Sequence, residues 1–175
     1  EKHYRKGWRS TPVVALGGVS LTVDTGEAFG FIGANGAGKT TTIKILMGLI
    51  QATKGTALLF GTPVSLPSAR RGLGYVPENP YLYDYLTPLE VLLMSLRLHG
   101  VKVSSPATHC MTWLERLGLA HAAGKTIRSF SKGMTQRVAI AQALCINPRL
   151  LILDEPLSGL DPIGRRDVVD ILSEY

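Results

Sequence analysis

The stretch Gly33-Ala34-Asn35-Gly36-Ala37-Gly38-Lys39-Thr40 fits the pattern G-x-x-x-x-G-K-[ST] at every fixed position. Its chemistry is the gripping of phosphate. Glycines take backbone conformations closed to other residues, so successive N–H groups, those of Asn35, Gly36, Ala37 and Gly38, can turn inward toward phosphate oxygens. Lys39 adds a point charge for the outer phosphates of a triphosphate, and Thr40 a hard hydroxyl oxygen for Mg²⁺. Thr41 offers a further hydrogen bond to phosphate. The helix that follows contributes its positive N-terminal end.

A second chemical group closes the run Leu150-Leu151-Ile152-Leu153-Asp154-Glu155-Pro156. An apolar strand ending in carboxylates suits a metal and a base: Asp154 would hold Mg²⁺ through water, and Glu155 would orient or deprotonate a water attacking a phosphate. Acidic residues after a strand also serve simply to cap the next turn. A third group is Phe130-Ser131-Lys132-Gly133-Met134-Thr135-Gln136-Arg137. Here Ser131 caps a helix whose positive end can face a phosphate, and Gly133 permits close backbone approach. An ordinary capped helix would read the same way.

These groups need a scaffold, and the order of strand-like and helix-like segments supplies one. Residues 27–32 read as a buried strand entering the glycine-rich turn. Residues 39–50 read as a helix burying Ile43, Leu46, Leu49 and Ile50, and residues 56–60 as a short strand ending at Gly61. Thr87-Pro88-Leu89-Glu90 opens a helix that stops at Gly100, with Thr87 and Glu90 forming a capping box. Further helices start at Ser105-Pro106, at Ser131 and at Asp161-Pro162. The one from Ser131 runs to Asn147-Pro148, which cannot continue it. Alternation of this kind predicts an α/β fold with a mainly parallel sheet. The sheet is interrupted by a helical insert over residues 78–131, leaving residues 1–77 and 132–175 as the core.

Composition agrees: 45% hydrophobic and 18% charged residues is a globular balance. The longest apolar stretches, residues 45–50 and 91–96, fall short of the ~20 residues that cross a bilayer. With no secretory pattern at the start, the expectation is a soluble chain that stays inside the cell. Cys110 and Cys145 lack metal-ligand spacing and read as buried small hydrophobes. The net charge is +6, with Lys2, Arg5, Lys6 and Arg9 crowded at the start. Polyanions are possible partners, and a solvated basic face explains the charge equally well. The chain opens at Glu1 and ends at Tyr175 within a helical pattern, which suggests a piece of a longer protein.

The combination resembles the nucleotide-binding domain of ABC transporters, built on a P-loop NTPase (RecA-like) core with a small N-terminal antiparallel part. Residues 130–137 are similar to the ABC signature L-S-G-G-Q followed by Q-R. Phe130 stands for Leu, Lys132 for the first Gly and Met134 for Gln, and this S-K-G-M form resembles type-2 exporters. Leu157-Ser158-Gly159-Leu160-Asp161 looks like the D-loop. Gly74-Tyr75-Val76-Pro77-Glu78 takes the Q-loop position, with Glu78 in place of Gln; its oxygen would serve Mg²⁺ or the attacking water. Tyr4 lies where the family keeps an aromatic that stacks on adenine, and Trp8 is a rival for that role.

The resemblance implies ATP and Mg²⁺ as cofactors and a head-to-tail dimer. Each ATP would sit between the P-loop of one copy and Ser131 and Gly133 of the other. Integral membrane permease subunits would be driven by the motion, with the chain peripheral on the inner face of the membrane and no nucleic acid expected. Catalysis would fall to Lys39, Glu155 and Glu78. The family's switch histidine would lie past Tyr175, so ATP hydrolysis by these residues alone is expected to be slow. The alternative is a soluble ABC ATPase acting on nucleic acid or the ribosome. The absence of a heptad run between the P-loop and the signature speaks against the coiled-coil kind.

Overall fold

Valines and an aromatic start the architecture, as β-branched and aromatic side chains suit a pleated surface. In the computed structural model, which describes residues 1–5, 7 and 11–175, β1 (Lys2–Tyr4) pairs antiparallel with β2 (Val13–Leu16). Tyr4 lies opposite Val13, and the register shifts between Lys2 and His3. The described chain divides into two units, Glu1–Arg71 and Gly72–Tyr175.

In the first unit, helix α1 (Lys39–Leu46) follows the glycine-rich turn and buries Ile43 and Ile45. It is shorter than expected, and Leu49, expected to be buried, is 66% exposed. The cause is Gly48, whose φ of 66° takes the chain out of helical geometry. Strands β3 (Leu58–Leu59) and β4 (Thr62–Pro63) form a tight antiparallel hairpin. Phe60 and Gly61 turn it with φ of 52° and 75°, the left-handed pair that such a turn requires.

The strand expected over residues 27–32 does not form. These residues join no sheet among the described residues, and Phe29 and Ile32 are 46% and 94% exposed. An apolar run becomes a buried strand only with partners on its edges, and the strands of this unit pair off in two separate ribbons.

The second unit holds the larger core. Strand β5 (Leu73–Val76) pairs in parallel with β6 (Leu150–Leu153), Leu73 opposite Leu150 and Val76 opposite Leu153. Helices α2 (Pro88–His99), α3 (Pro106–Arg116), α4 (Lys132–Cys145) and α5 (Pro162–Ser173) complete it. Val76, Leu92, Leu114, Val138, Ile140, Leu144 and Val168 share one cluster in which none of them is accessible to solvent. Each such side chain contributes roughly 1.5–3 kcal/mol by leaving water. Strand β5 lies close against α4: a Cβ at Gly74 would stand 2.7 Å from the Ala143 carbonyl oxygen.

The helix signals read from the sequence are realised in full for α2. Thr87 accepts from the Glu90 N–H at 3.3 Å, and the Glu90 carboxylate accepts from the Thr87 N–H at 2.8 Å. At the other end Gly100 takes φ 67°. Ser131 and Asp161 cap α4 and α5 through the N–H groups of Met134 and Gly164. Among the described residues no helix is long and apolar enough to cross a membrane.

Candidate active site

The first unit carries the glycine-rich loop expected to bind phosphate. Gly36 and Gly38 take φ of 83° and 94°, and the Ala37 N–H donates to the Ala34 carbonyl at 3.1 Å. Gly38 is seated against β2: a Cβ there would meet Leu16 Cδ1 at 2.8 Å and the Ala15 oxygen at 3.1 Å. Only glycine fits that contact at that dihedral.

Helix α1 starts at Lys39 with no side-chain cap and no acidic residue in its first turn. Its leading N–H groups therefore keep their pull on an anion. The Lys39 ammonium folds back over the loop and donates to the carbonyls of Gly33 at 2.6 Å and Ala34 at 3.1 Å. Asn35, Gly36, Ala37 and Thr40 are exposed and Thr41 is half-buried, so ligand atoms can reach them. The Thr42 hydroxyl is spent on the Gly38 carbonyl at 3.0 Å.

Tyr4 is exposed, and the Lys2 ammonium lies 4.9 Å from its ring centre. The face of this ring already attracts a cation. Trp8, its rival, lies outside the described residues, as do Lys6 and Arg9.

The second unit carries the carboxylates. The Asp154 N–H donates to the Val76 carbonyl at 2.9 Å, extending the β5–β6 pairing by one residue. The parallel register thus brings Glu78 and the Asp154–Glu155 pair past the same edge of this sheet. Asp154 is half-buried, while Glu155 and Glu78 are exposed. Burial, and then the charge of Asp154, raise the pKa of the Tyr75 phenol above its ordinary value. Glu155 has φ 49°, left-handed for a residue with a side chain. Thr40 in the first unit and Asp154 in the second each offer a hard oxygen, the donor type that Mg²⁺ takes. Among the described residues no cluster of three or more His, Cys, Asp or Glu is placed to hold a metal ion.

The start of α4 sits over the turn that follows β6. Ser131 Oγ accepts from the Met134 N–H at 3.2 Å. A cleft of about 350 Å³ opens between Ser131, Gly133 and Arg137 on one side and Gly159 and Asp161 on the other. Two polar residues that the sequence offered only as letters of a motif stand out here. Arg137 reaches the Leu117 carbonyl at 3.3 Å and the Asp161 carboxylate at 3.5 Å. Gln136 is wholly buried. Their signal was available: polar side chains on the inward face of an otherwise apolar helix.

A protein-family model described as ABC transporter matches residues 16–158. The chain belongs to the ABC transporter family. It is 47% identical over 174 residues to an uncharacterized ABC transporter ATP-binding protein of Nostoc sp., covering 98% of this chain and 52% of that one. It is 41% identical over 152 residues to a bacitracin transport ATP-binding protein of Bacillus licheniformis, covering 86% of this chain and 49% of that one. The chain therefore spans about half the length of these curated ABC relatives.

Among solved structures, the ATP-binding cassette MJ0796, described as a dimeric post-hydrolysis state bound to ADP and Pi, superposes with a TM-score of 0.88 at 27% identity, covering 99% of this chain and 78% of that one. An ATP-binding subunit of an ABC transporter superposes with a TM-score of 0.76 at 34% identity, covering 82% of this chain and 60% of that one. The P-loop NTPase fold expected for an ABC domain is thus the fold observed.

Proposed function

We propose that this chain is the ATP-binding and hydrolysing motor domain of an ABC transporter, an exporter by its S-K-G-M signature. The observation that carries the reading is the Lys39 ammonium, held over the loop within 2.6 Å of the Gly33 carbonyl beside an uncapped helix start. In this reading the N–H groups of Asn35, Gly36, Ala37 and Gly38 cradle the phosphates, and Thr41 adds a hydrogen bond. Lys39 neutralises the outer phosphates, and Tyr4 stacks on the base. Thr40 and Asp154, with Glu78, would hold Mg²⁺, which would supply positive charge to the phosphate oxygens. Glu155 takes the proton of the attacking water.

Ser131 and Gly133 complete the site of a second copy, so that ATP binding joins two chains head to tail and hydrolysis releases them. Residues 1–77 and 132–175 form the ATP-binding core, and residues 78–131 the helical subdomain that passes the motion to integral membrane permease subunits. The domain works in the cytoplasm, peripheral on the inner face of the membrane. The dimeric cassette and the relative named for bacitracin transport support these steps.

Sedimentation of the Glu155→Gln full-length protein tests the reading. With the base gone, Mg-ATP should convert monomer to dimer, whereas Mg-ADP should leave it monomeric. A monomer in both nucleotides would contradict it.

A further inference from the structure

Gln136 is an anomaly of the α4 face. It is 0% exposed among side chains such as Val138, Ile140 and Leu144 that are equally buried. Its amide nitrogen donates to the Pro156 carbonyl at 3.1 Å, and its Oε1 has no hydrogen-bond partner. A half-satisfied buried amide costs stability that an apolar side chain of the same length would not. Packing gives no reason for glutamine here. The contact with Pro156 does.

That carbonyl belongs to the turn that shapes Glu155. A left-handed φ of 49° at Glu155 is unfavourable for a residue with a Cβ, and a following proline pushes it further toward extended geometry. Such a conformation persists only where the surroundings over-determine it. Here they do. The Ser158 N–H donates to the Glu155 carbonyl at 3.0 Å. Gly133 lies so close that a Cβ on it would stand 2.9 Å from the Gly159 oxygen. Lys132 runs along Gly159 and extends its ammonium to Ser158 Oγ at 3.4 Å. Arg137 meets Asp161 at 3.5 Å. Residues 132, 133, 136 and 137 form one side of α4, and together they hold the turn from Pro156 to Asp161. Gln136 is the buried member, and it grips the peptide next to Glu155.

We propose that Gln136 is a positioning residue for Glu155: by holding the Pro156 carbonyl it fixes the backbone that presents the base, and it locks the signature helix and the D-loop into one body. The proposal rests on the reading of Glu155 as the base. Retaining a polar group at a cost in stability, for the sake of geometry at a reacting carboxylate, is its physical content.

The test compares the full-length protein with its Gln136→Met variant, in which an unbranched side chain of similar length cannot donate. Four quantities are read: ATP affinity, kcat with KM, melting temperature, and hydrogen exchange at the Ser158 amide. The expected result is unchanged affinity and KM, an unchanged or higher melting temperature, faster exchange at Ser158, and kcat lower by at least about tenfold, since a displaced base forfeits part of a contribution of roughly a hundredfold or more. Wild-type kcat in the variant would overturn the proposal, as would a kcat that falls only in step with melting temperature. Should Gln136→Met not fold, Gln136→Leu replaces it; failure of both to fold makes Gln136 a purely structural residue and ends the proposal. If the wild type neither binds nor hydrolyses ATP, the reading of Glu155 fails, and the Ser158 exchange still decides whether the clamp exists.

Discussion

The Lys39 ammonium lies 2.6 Å from the carbonyl oxygen of Gly33, six residues back along the loop. The lysine that opens α1 therefore closes the loop upon itself, its charge held against the carbonyls of Gly33 and Ala34. In the proposed reading an arriving phosphate would exchange these carbonyl contacts for a charge-assisted pair, which is the stronger bond. The loop's glycines are integral to that arrangement.

Gly38→Ala should damage stability and binding together. The new methyl group would meet Leu16 Cδ1 at 2.8 Å and the Ala15 oxygen at 3.1 Å, at a φ of 94°. Strain of this kind costs on the order of 1–3 kcal/mol, or a melting temperature lower by roughly 2–12 °C for a chain of this size. Gly36→Ala, whose added Cβ meets nothing within 4 Å, should melt closer to wild type. Thermal unfolding of both variants checks the contrast.

Acidification should weaken the start of α2. The backbone N–H of Thr87, then its hydroxyl, hold the Glu90 carboxylate below its ordinary pKa of 4.5. A lowered folded value means that stability from this group is whole above the ordinary value and is lost as pH falls through the lowered one. Glu90→Gln should therefore flatten the acid limb of a stability-versus-pH curve while leaving stability at neutral pH only slightly changed. Urea unfolding at a series of pH values measures it, and parallel acid limbs would contradict it.

The two thiols should be inert in the folded protein. Burial first, then the neighbouring Cys110, push Cys145 up to about 12, and burial raises Cys110. Both side chains are 0% exposed, and the thiolate is the reactive form. Iodoacetamide at pH 8 should label neither cysteine until denaturant is added, as read by mass spectrometry. Labelling faster than unfolding would contradict this.

What could be read from the sequence follows the range of the interactions involved. The ends of α2 were legible because Thr87, Glu90 and Gly100 act on backbone within a turn of themselves. The phosphate loop was legible for the same reason: Gly36, Gly38 and Lys39 impose its shape locally. Residues 27–32 were not, since their apolar run promises burial while a strand also needs partners from elsewhere in the chain. The hairpin at Phe60 and Gly61 escaped notice because a phenylalanine in left-handed geometry lies outside the residues that usually announce such a turn. The hold of Gln136 on Pro156 joins segments twenty residues apart, and only folding brings them together.

The most direct test is a titration of a fluorescent ATP analogue, with Mg²⁺, into the wild-type protein and Lys39→Ala. Loss of one charge-assisted contact to phosphate should weaken affinity by roughly ten- to a hundredfold, with the melting temperature of the nucleotide-free protein little altered. Equal affinity in the two proteins would show that the ammonium over the loop does not grip the triphosphate, and the account of this chain as an ATP-driven motor would be wrong.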